Sequence, residues 1–345
     1  MQAVSAGSGV ERALDRYREM VVSRLLDELP SAEPAYFYEL IRQYFGLPGK
    51  AMRPALCLAV CEALGGELDL ALNTAIAIEL FHNAFLIQDD VQDSSERRRG
   101  SPTLHAQHGV PIAVNASSMT NLIGLQRLLE NRWQVGDSLA WRIFQETELM
   151  MRHSLEGQAI ELGWIRDNTV ELTEDDYYRM CLKKTSWYTC VYPCRVGALI
   201  ANGGRVELGV LDRFGWYLGA AFQIRDDILN LVGRFDKYGK EIRGDLLEGK
   251  RTLMLIHLLR VLRGTERARL IRFLALPRSQ RDVNDVGWVA DRMLETGCVD
   301  HAVAYATQLA QAAQAQATVA FGQVPGSKAR EFLLALPDYV VERDH

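Results

Sequence analysis

Three aspartates, Asp89, Asp90 and Asp93, close an apolar run in FLIQDDVQDSSERRRG, and Arg97, Arg98 and Arg99 follow at once. Asp89 and Asp93 are four apart, so on a helix both project from one face. The stretch AFQIRDDILNLVG repeats the device: Asp226 and Asp227 end another apolar run, and Asn230 stands four after Asp226. Carboxylates at the end of an apolar helix are costly unless a cation meets them. Neither cluster stands at a helix start, where the dipole would favour it. Two such clusters face to face make an oxygen-only site. Hard Mg²⁺ suits it, taking one or two carboxylates, waters and phosphate oxygens. One cluster alone reads as well as an acidic helix end turned to solvent; two, each on an apolar helix, favour the metal.

The basic residues fit the same chemistry. Lys184 precedes Thr185 at the expected start of a buried helix, and Lys240 follows the second acidic cluster in YGKEIRGDLLEGK. With the arginines after Asp93, they can bind phosphate oxygens that the metal does not reach, arginine in bidentate fashion. Alone, Lys184 or Lys240 would read as a solvated surface charge. In GKAMRPA, Lys50 and Arg53 are three apart near an expected helix N-terminus, itself an anion site. The pattern is a metal-bridged diphosphate site with a metal-free one beside it. The apolar helix leading away offers a pocket that suits an isoprenoid.

The elements that must hold these groups are helices. ALDRYREMVVSRLLDEL, AYFYELIRQYF and AREFLLALPDYVVER space apolar groups three and four apart. LALNTAIAIELFHNAFLIQDD, KTSWYTCVYPCRVGALIA and LDRFGWYLGAAFQIRDDILNLV are apolar nearly all round and predict buried central helices. No alternating runs with hairpin turns stand out. Pro193 falls inside a helical pattern and is expected to kink it. No segment reads as an interdomain linker, so residues 1–345 are expected to form a single all-α domain around a central cavity.

The chain has 345 residues, 48% hydrophobic and 24% charged, an ordinary globular balance. A formal charge of −5 gives no global attraction to nucleic acid. Six cysteines form no CxxC pair, and reduced thiols in the cytoplasm are the simplest reading. No secretory leader is expected at the N-terminus, nor any run approaching the roughly 18 apolar residues of a membrane helix.

These residues resemble the trans-isoprenyl diphosphate synthases, or polyprenyl synthetases. DDVQD matches the family's first aspartate-rich motif, and DDILN the second, with Asn230 where an aspartate is usual. GKAMRP, LKKT, GQAIEL, AFQIRDD, GDLLEGK and the final LLALPDYVVERD fall in family order, so the resemblance covers nearly the whole chain. It implies a reaction: an allylic diphosphate, bound through Mg²⁺, ionises and is attacked by the double bond of isopentenyl diphosphate. It also implies about three Mg²⁺ ions per site and a homodimer.

By position, the resemblance makes Asp89, Asp93 and Asp226 metal ligands, with Asp90, Asp227 and Asn230 in or beside the metal shell. Arg98, Lys184 and Lys240 would hold the allylic diphosphate. Lys50, Arg53, His82 and Arg99 would hold isopentenyl diphosphate; on a buried helix His82 would otherwise be an ordinary core histidine. Thr185, Gln158 and Gln223 would line the reacting carbons. Asn230 is a weaker ligand than aspartate, yet a similar motif occurs in eukaryotic-type geranylgeranyl diphosphate synthases. Glu161 keeps the charge of a usual aspartate, while Trp187 and Tyr188 are bulkier than the small residues often found after the Lys-Thr pair.

Product length is expected from the residues four and five before the first motif, Phe85 and Ala84, where bulk acts as a floor in the family. Ala84 opens one lane and Phe85 obstructs another, which predicts a C20 product, geranylgeranyl diphosphate, with farnesyl (C15) and geranylfarnesyl (C25) diphosphate as neighbours. The rivals are a class I terpene cyclase, which usually lacks the second aspartate motif and needs no isopentenyl site, and a non-catalytic regulatory subunit, which tends to lose an acid motif.

Overall fold

The computed structural model describes residues 6–29, 31–47, 49–233 and 241–343. The helical periods become α1 (Ala6–Glu28), α2 (Ala35–Phe45), α3 (Met52–Ala63), α4 (Leu68–Asp93), α5 (Leu104–His108), α6 (Val110–Val135), α7 (Asp137–Arg166) and α8 (Glu174–Cys181). After a π-helical segment (Leu182–Val191) come α9 (Tyr192–Ala201), α10 (Gly209–Val232), α11 (Gly244–Glu248), α12 (Leu253–Val261) and α13 (Gly264–Ala275). The chain continues through α14 (Val283–Glu295), α15 (Cys298–Phe321) and α16 (Lys328–Glu342). The fold is all-α, as expected.

The two aspartate runs ride on central helices. α4 packs against α3 and α6, and α10 lies between α15 and the π segment. The nearly all-round apolarity of α4 is explained by this enclosure. One expectation is corrected here. α4 is long and apolar enough to cross a membrane, with an 18-residue window of mean hydropathy 1.5, but 67% of that window is buried inside the protein. A core helix surrounded by other helices needs the same composition.

The run containing Lys184 also differs from expectation. Lys184 and Thr185 do not start a helix; they sit in the π segment, inside one helical run from Glu174 to Ala201. Pro193 lies inside that run as expected, in the first turn of α9, where the π segment ends. Glycines bring neighbouring helices up to this segment. A Cβ on Gly157 of α7 would lie 2.2 Å from the Lys184 backbone nitrogen, and one on Gly219 of α10 would lie 2.5 Å from the Ser186 Cα. The π segment is thus seated between two helices at backbone distance, which fixes where Lys184 and Thr185 point.

A two-stranded hairpin, unforeseen in the sequence, pairs β1 (Arg97–Arg98) with β2 (Ser101–Pro102). Its two-residue turn, Arg99–Gly100, has φ of +53° and +78°, the left-handed pair of a tight type I′ connection. All six cysteines are buried and free.

Candidate active site

The larger cavity has about 1170 Å³ of empty space, part of it open to solvent, and is walled by α4, α7, the π segment and α10. Asp89 from the first acidic cluster and Asp226 and Asp227 from the second line this one cavity, with Asp245 from α11. The expected meeting of the two clusters is therefore present. Lys184, Thr185, Gln158, Gln223 and Arg98 line it too.

Protein cations are threaded among the acids. Arg98 Nε donates to Asp90 Oδ1 at 2.6 Å and its NH2 to Asp89 Oδ2 at 3.2 Å. Burial opposes the charge on Arg98, but Asp90 and Asp89 outweigh it and hold the guanidinium pKa above its ordinary value. Lys184 lies 3.7 Å from Asp89 and pairs with Glu161. Burial again works against its charge, and Glu161 and then Asp89 raise the pKa in spite of it. Lys250 donates to Asp93 at 2.6 Å and lies 2.7 Å from Glu248.

Asp227 is a strongly perturbed acid. Tyr177 Oη donates to its Oδ2 and Gln223 Nε2 to its Oδ1, each at 2.7 Å. Even so, burial, and then the charge on Asp245, push its pKa up to about 8. Burial also raises the pKa of Asp93, against the pull of Lys250. Asp93 and Asp227, buried and reluctant to hold their charge, are carboxylates that a divalent cation would relieve. The donors, aspartates from two facing helices, are hard oxygens, so Asp89, Asp93, Asp226 and Asp227 fit Mg²⁺.

A second, smaller cavity is lined by Lys50, Arg53, His82 and Arg99, all four residues expected for the metal-free anion site. Arg53 NH1 lies 3.3 Å from His82 Nε2. Guanidinium can only donate, so Nε2 accepts, and His82 Nδ1 faces the Tyr188 hydroxyl in a short hydrogen bond. Arg53 also stacks over Tyr188, 4.3 Å from the ring centre. Arg53 and Phe222 line both cavities and form their common wall.

The hairpin explains how adjacent arginines serve different cavities. Arg98 ends the short strand and reaches back to Asp89 and Asp90, while Arg99 opens the tight turn in a left-handed conformation and goes the other way, where its NH1 donates to Asn83 Oδ1 at 3.2 Å.

A sequence profile described as Polyprenyl synthetase matches residues 34–293. The chain belongs to the polyprenyl synthetase family. Its members are trans-prenyltransferases that generally use Mg²⁺. Over 336 residues, 96% of this chain and 98% of the relative, it is 31% identical to a short chain isoprenyl diphosphate synthase of Methanothermobacter thermautotrophicus. Over 300 residues, 86% and 90%, it is 31% identical to a geranylfarnesyl diphosphate synthase of Aeropyrum pernix. Among solved structures, the geranylgeranyl pyrophosphate synthetase of Pyrococcus horikoshii superposes with a TM-score of 0.83 at 29% identity, covering 96% of this chain and 99% of that one.

Within this polyprenyl synthetase, some expected residues sit differently from their neighbours. Asp90 is buried against Arg98 and does not line the larger cavity. Asp93 faces a small recess shared with Asn230 and Glu248. Asn230 Oδ1 accepts from the Asp245 backbone N–H at 3.1 Å and its Nδ2 donates to the Glu241 carbonyl at 3.3 Å, so it clips the segment after the second motif. Phe85 lines the larger cavity, edge-on to Tyr188 at 5.4 Å. Ala84 does not; it is fully buried, and its carbonyl accepts from Ser117 of α6. Lys240 lies outside the described residues.

Sequence reading missed several participants. Lys250 and Asp245 belong to GDLLEGK, quoted above as a motif without assigning either residue. Tyr177 had no local signal, since its role depends on Asp227, 50 positions away. Arg343 pairs with Asp226 and lines the smaller cavity, 117 positions from its partner.

Proposed function

We propose that this polyprenyl synthetase condenses isopentenyl diphosphate head to tail with an allylic diphosphate and releases a short-chain all-trans prenyl diphosphate, geranylgeranyl diphosphate (C20) first among them. The observation that carries this reading is the pair of cavities sharing Arg53 and Phe222 as a wall, one lined by acids and lysines and the other by Lys50, Arg53, His82 and Arg99. A terpene cyclase needs only the first.

The allylic diphosphate enters the larger cavity. Asp89, Asp93, Asp226 and Asp227 would hold Mg²⁺, which when bound would supply positive charge to the departing diphosphate. Lys184, Arg98 and Lys250 supply fixed positive charge around the same oxygens. The allylic C–O bond breaks with its electron pair on the diphosphate, and the cation is left near Thr185 and Gln223. Thr185 Oγ1 donates to Gln223 Oε1 at 2.7 Å and Gln223 donates on to Asp227, so both dipoles are held in one orientation. The smaller cavity holds isopentenyl diphosphate through Lys50, Arg53, His82 and Arg99, and Tyr188 fixes the His82 ring. The double bond attacks, a C–C bond forms and a proton leaves to the released diphosphate. The growing tail runs towards Phe85 and Tyr188.

Two further readings accompany it. A homodimer through α6 is supported by an exposed apolar stripe, Leu122, Leu129 and Trp133, with Trp141 of α7 nearby in sequence and also exposed. A cytoplasmic, reducing location is supported by six free buried cysteines.

The test is incubation of the purified protein with Mg²⁺ and labelled isopentenyl diphosphate, with dimethylallyl, geranyl or farnesyl diphosphate in separate reactions. Dephosphorylated products are sized by chromatography. A C20 alcohol is expected. A linear alcohol of another length, such as the C25 made by the Aeropyrum relative's namesake activity, keeps the mechanism and rejects the length. No turnover with any primer, or a cyclic hydrocarbon formed without isopentenyl diphosphate, sinks the synthase reading.

A further inference from the structure

Neither cavity involves Glu174, His257 or His301. They come from three helices, α8, α12 and α15, and their ligand atoms all lie within 4.8 Å of one another. Glu174 Oε1 is 3.1 Å from His301 Nε2 and 3.6 Å from His257 Nδ1. The imidazoles stack with centres 4.1 Å apart and planes 23° from parallel. Glu174 is held in place because it opens α8 directly after a capping box, in which Thr173 and Asp176 exchange side-chain and backbone hydrogen bonds.

Two bland explanations are available, and each leaves something over. A simple histidine–carboxylate hydrogen bond accounts for His301 but not for His257. Its buried Nδ1 atom faces Glu174 Oε1 at 3.6 Å, a long contact for a hydrogen bond. A charged pair with Glu174 is already supplied by Arg260, whose NH1 donates at 3.2 Å. A second imidazole adds no charge that this carboxylate needs. Burial, and then the neighbouring His301, lower the His257 pKa against the pull of Glu174, which favours the neutral ring with a lone pair to give.

We propose that Glu174, His257 and His301 form a site for a borderline-soft divalent cation of the zinc type, pinning α8, α12 and α15 together. Tetrahedral bonds of about 2.0–2.2 Å set ligand atoms roughly 3.4 Å apart. The two Glu174–histidine separations already meet that spacing. The set of two imidazoles and one carboxylate selects Zn²⁺, Co²⁺ or Ni²⁺ over Mg²⁺, which prefers oxygen alone. Three protein ligands leave a fourth position for water. Arg260 is the competitor: its side chain is 60% exposed, so it can swing into solvent when the metal takes the carboxylate. The site lies on the helix that carries Tyr177, the hydrogen-bond donor to Asp227, so the metal would stiffen one support of the larger cavity.

The experiment uses the full chain without a polyhistidine tag, stripped with chelator and then held in excess Mg²⁺ to occupy the aspartates. Co²⁺ is titrated and its visible d–d bands are recorded; Zn²⁺ is titrated by calorimetry. The wild type is expected to take up one ion, with bands of a nitrogen-containing site, and to melt at higher temperature with Zn²⁺. His257→Gln and His301→Gln should each weaken binding at least ~10-fold, since even neighbours of ligands cost that much. Arg260→Ala should tighten it, and Asp227→Asn should leave it unchanged. If a histidine variant fails to fold, Glu174→Gln and Arg260→Ala still decide. No uptake by the wild type, equal uptake by the histidine variants, or loss in Asp227→Asn would each overturn the proposal.

Discussion

At the scale of single residues, Asp227 carries the sharpest consequence. Its pKa of about 8 in the fold stands far above the ordinary 3.8. Between those values the folded metal-free protein keeps a proton that the unfolded chain has lost. Stability therefore falls as pH rises from about 4 to about 8, by up to ~1.4 kcal/mol per unit from this group. Asp227→Asn removes that slope. The variant is expected to melt above the wild type at pH 8 without metal, while kcat drops on the order of 10²–10³-fold through the lost ligand. Equal melting curves for the two proteins at that pH would reject the assignment. Mg²⁺ binding near neutral pH should also release protons, which calorimetry in buffers of different ionisation enthalpy detects. Phe85 supports a second expectation. Its ring lies in the cavity against Tyr188, so Phe85→Ala should lengthen the main product by at least one isoprene unit. An unchanged product distribution would place the floor elsewhere. Ala84 faces α6, which periodicity could not reveal: neighbours on a helix buried all round face different partners, and only packing says which.

At the scale of elements, the π segment and its glycine bed are decisive. Gly157 stands in GQAIEL, and the close approach to the Lys184 backbone gives a physical reason for glycine there. Gly157→Ala should displace Lys184, raise the KM for the allylic substrate and cost about 1–3 kcal/mol of stability, read by thermal melting and steady-state kinetics. A variant with wild-type melting and KM would show that the segment yields freely. The helices were legible because their apolar periods are long. The acid clusters were legible because each sits at the end of such a period. The π segment was not, because a register change inside a helix leaves apolar spacing nearly intact. The hairpin was not, because two-residue strands are too short to alternate. Arg99 and Gly100 carried the only hint, as a pair able to hold a tight turn.

At the scale of the whole molecule, charges far apart in sequence converge. Arg343 reaches Asp226, and Lys250 reaches Asp93, 157 positions away. No local pattern announces such pairs, whereas the four residues expected together at the smaller cavity were named from motif positions alone. The exposed stripe on α6 belongs to this scale as well. Light scattering is expected to give twice the mass of one chain, and Leu129→Glu with Trp133→Glu should halve it. A wild-type protein that sediments as one chain would remove the homodimer.

The Arg99–Gly100 turn has a further consequence, for what kinds of change the chain can tolerate. It joins its strands with two residues and has no slack. The change from strand to left-handed turn sends Arg98 to one cavity and Arg99 to the other, so the placement is a matter of counting. A substitution at either arginine is expected to impair one cavity and spare the other. A single inserted or deleted codon inside RRRG shifts the count, turns each guanidinium to the wrong side and removes both at once. The two cavities can be tuned separately by replacing letters, but not by changing the length of the word.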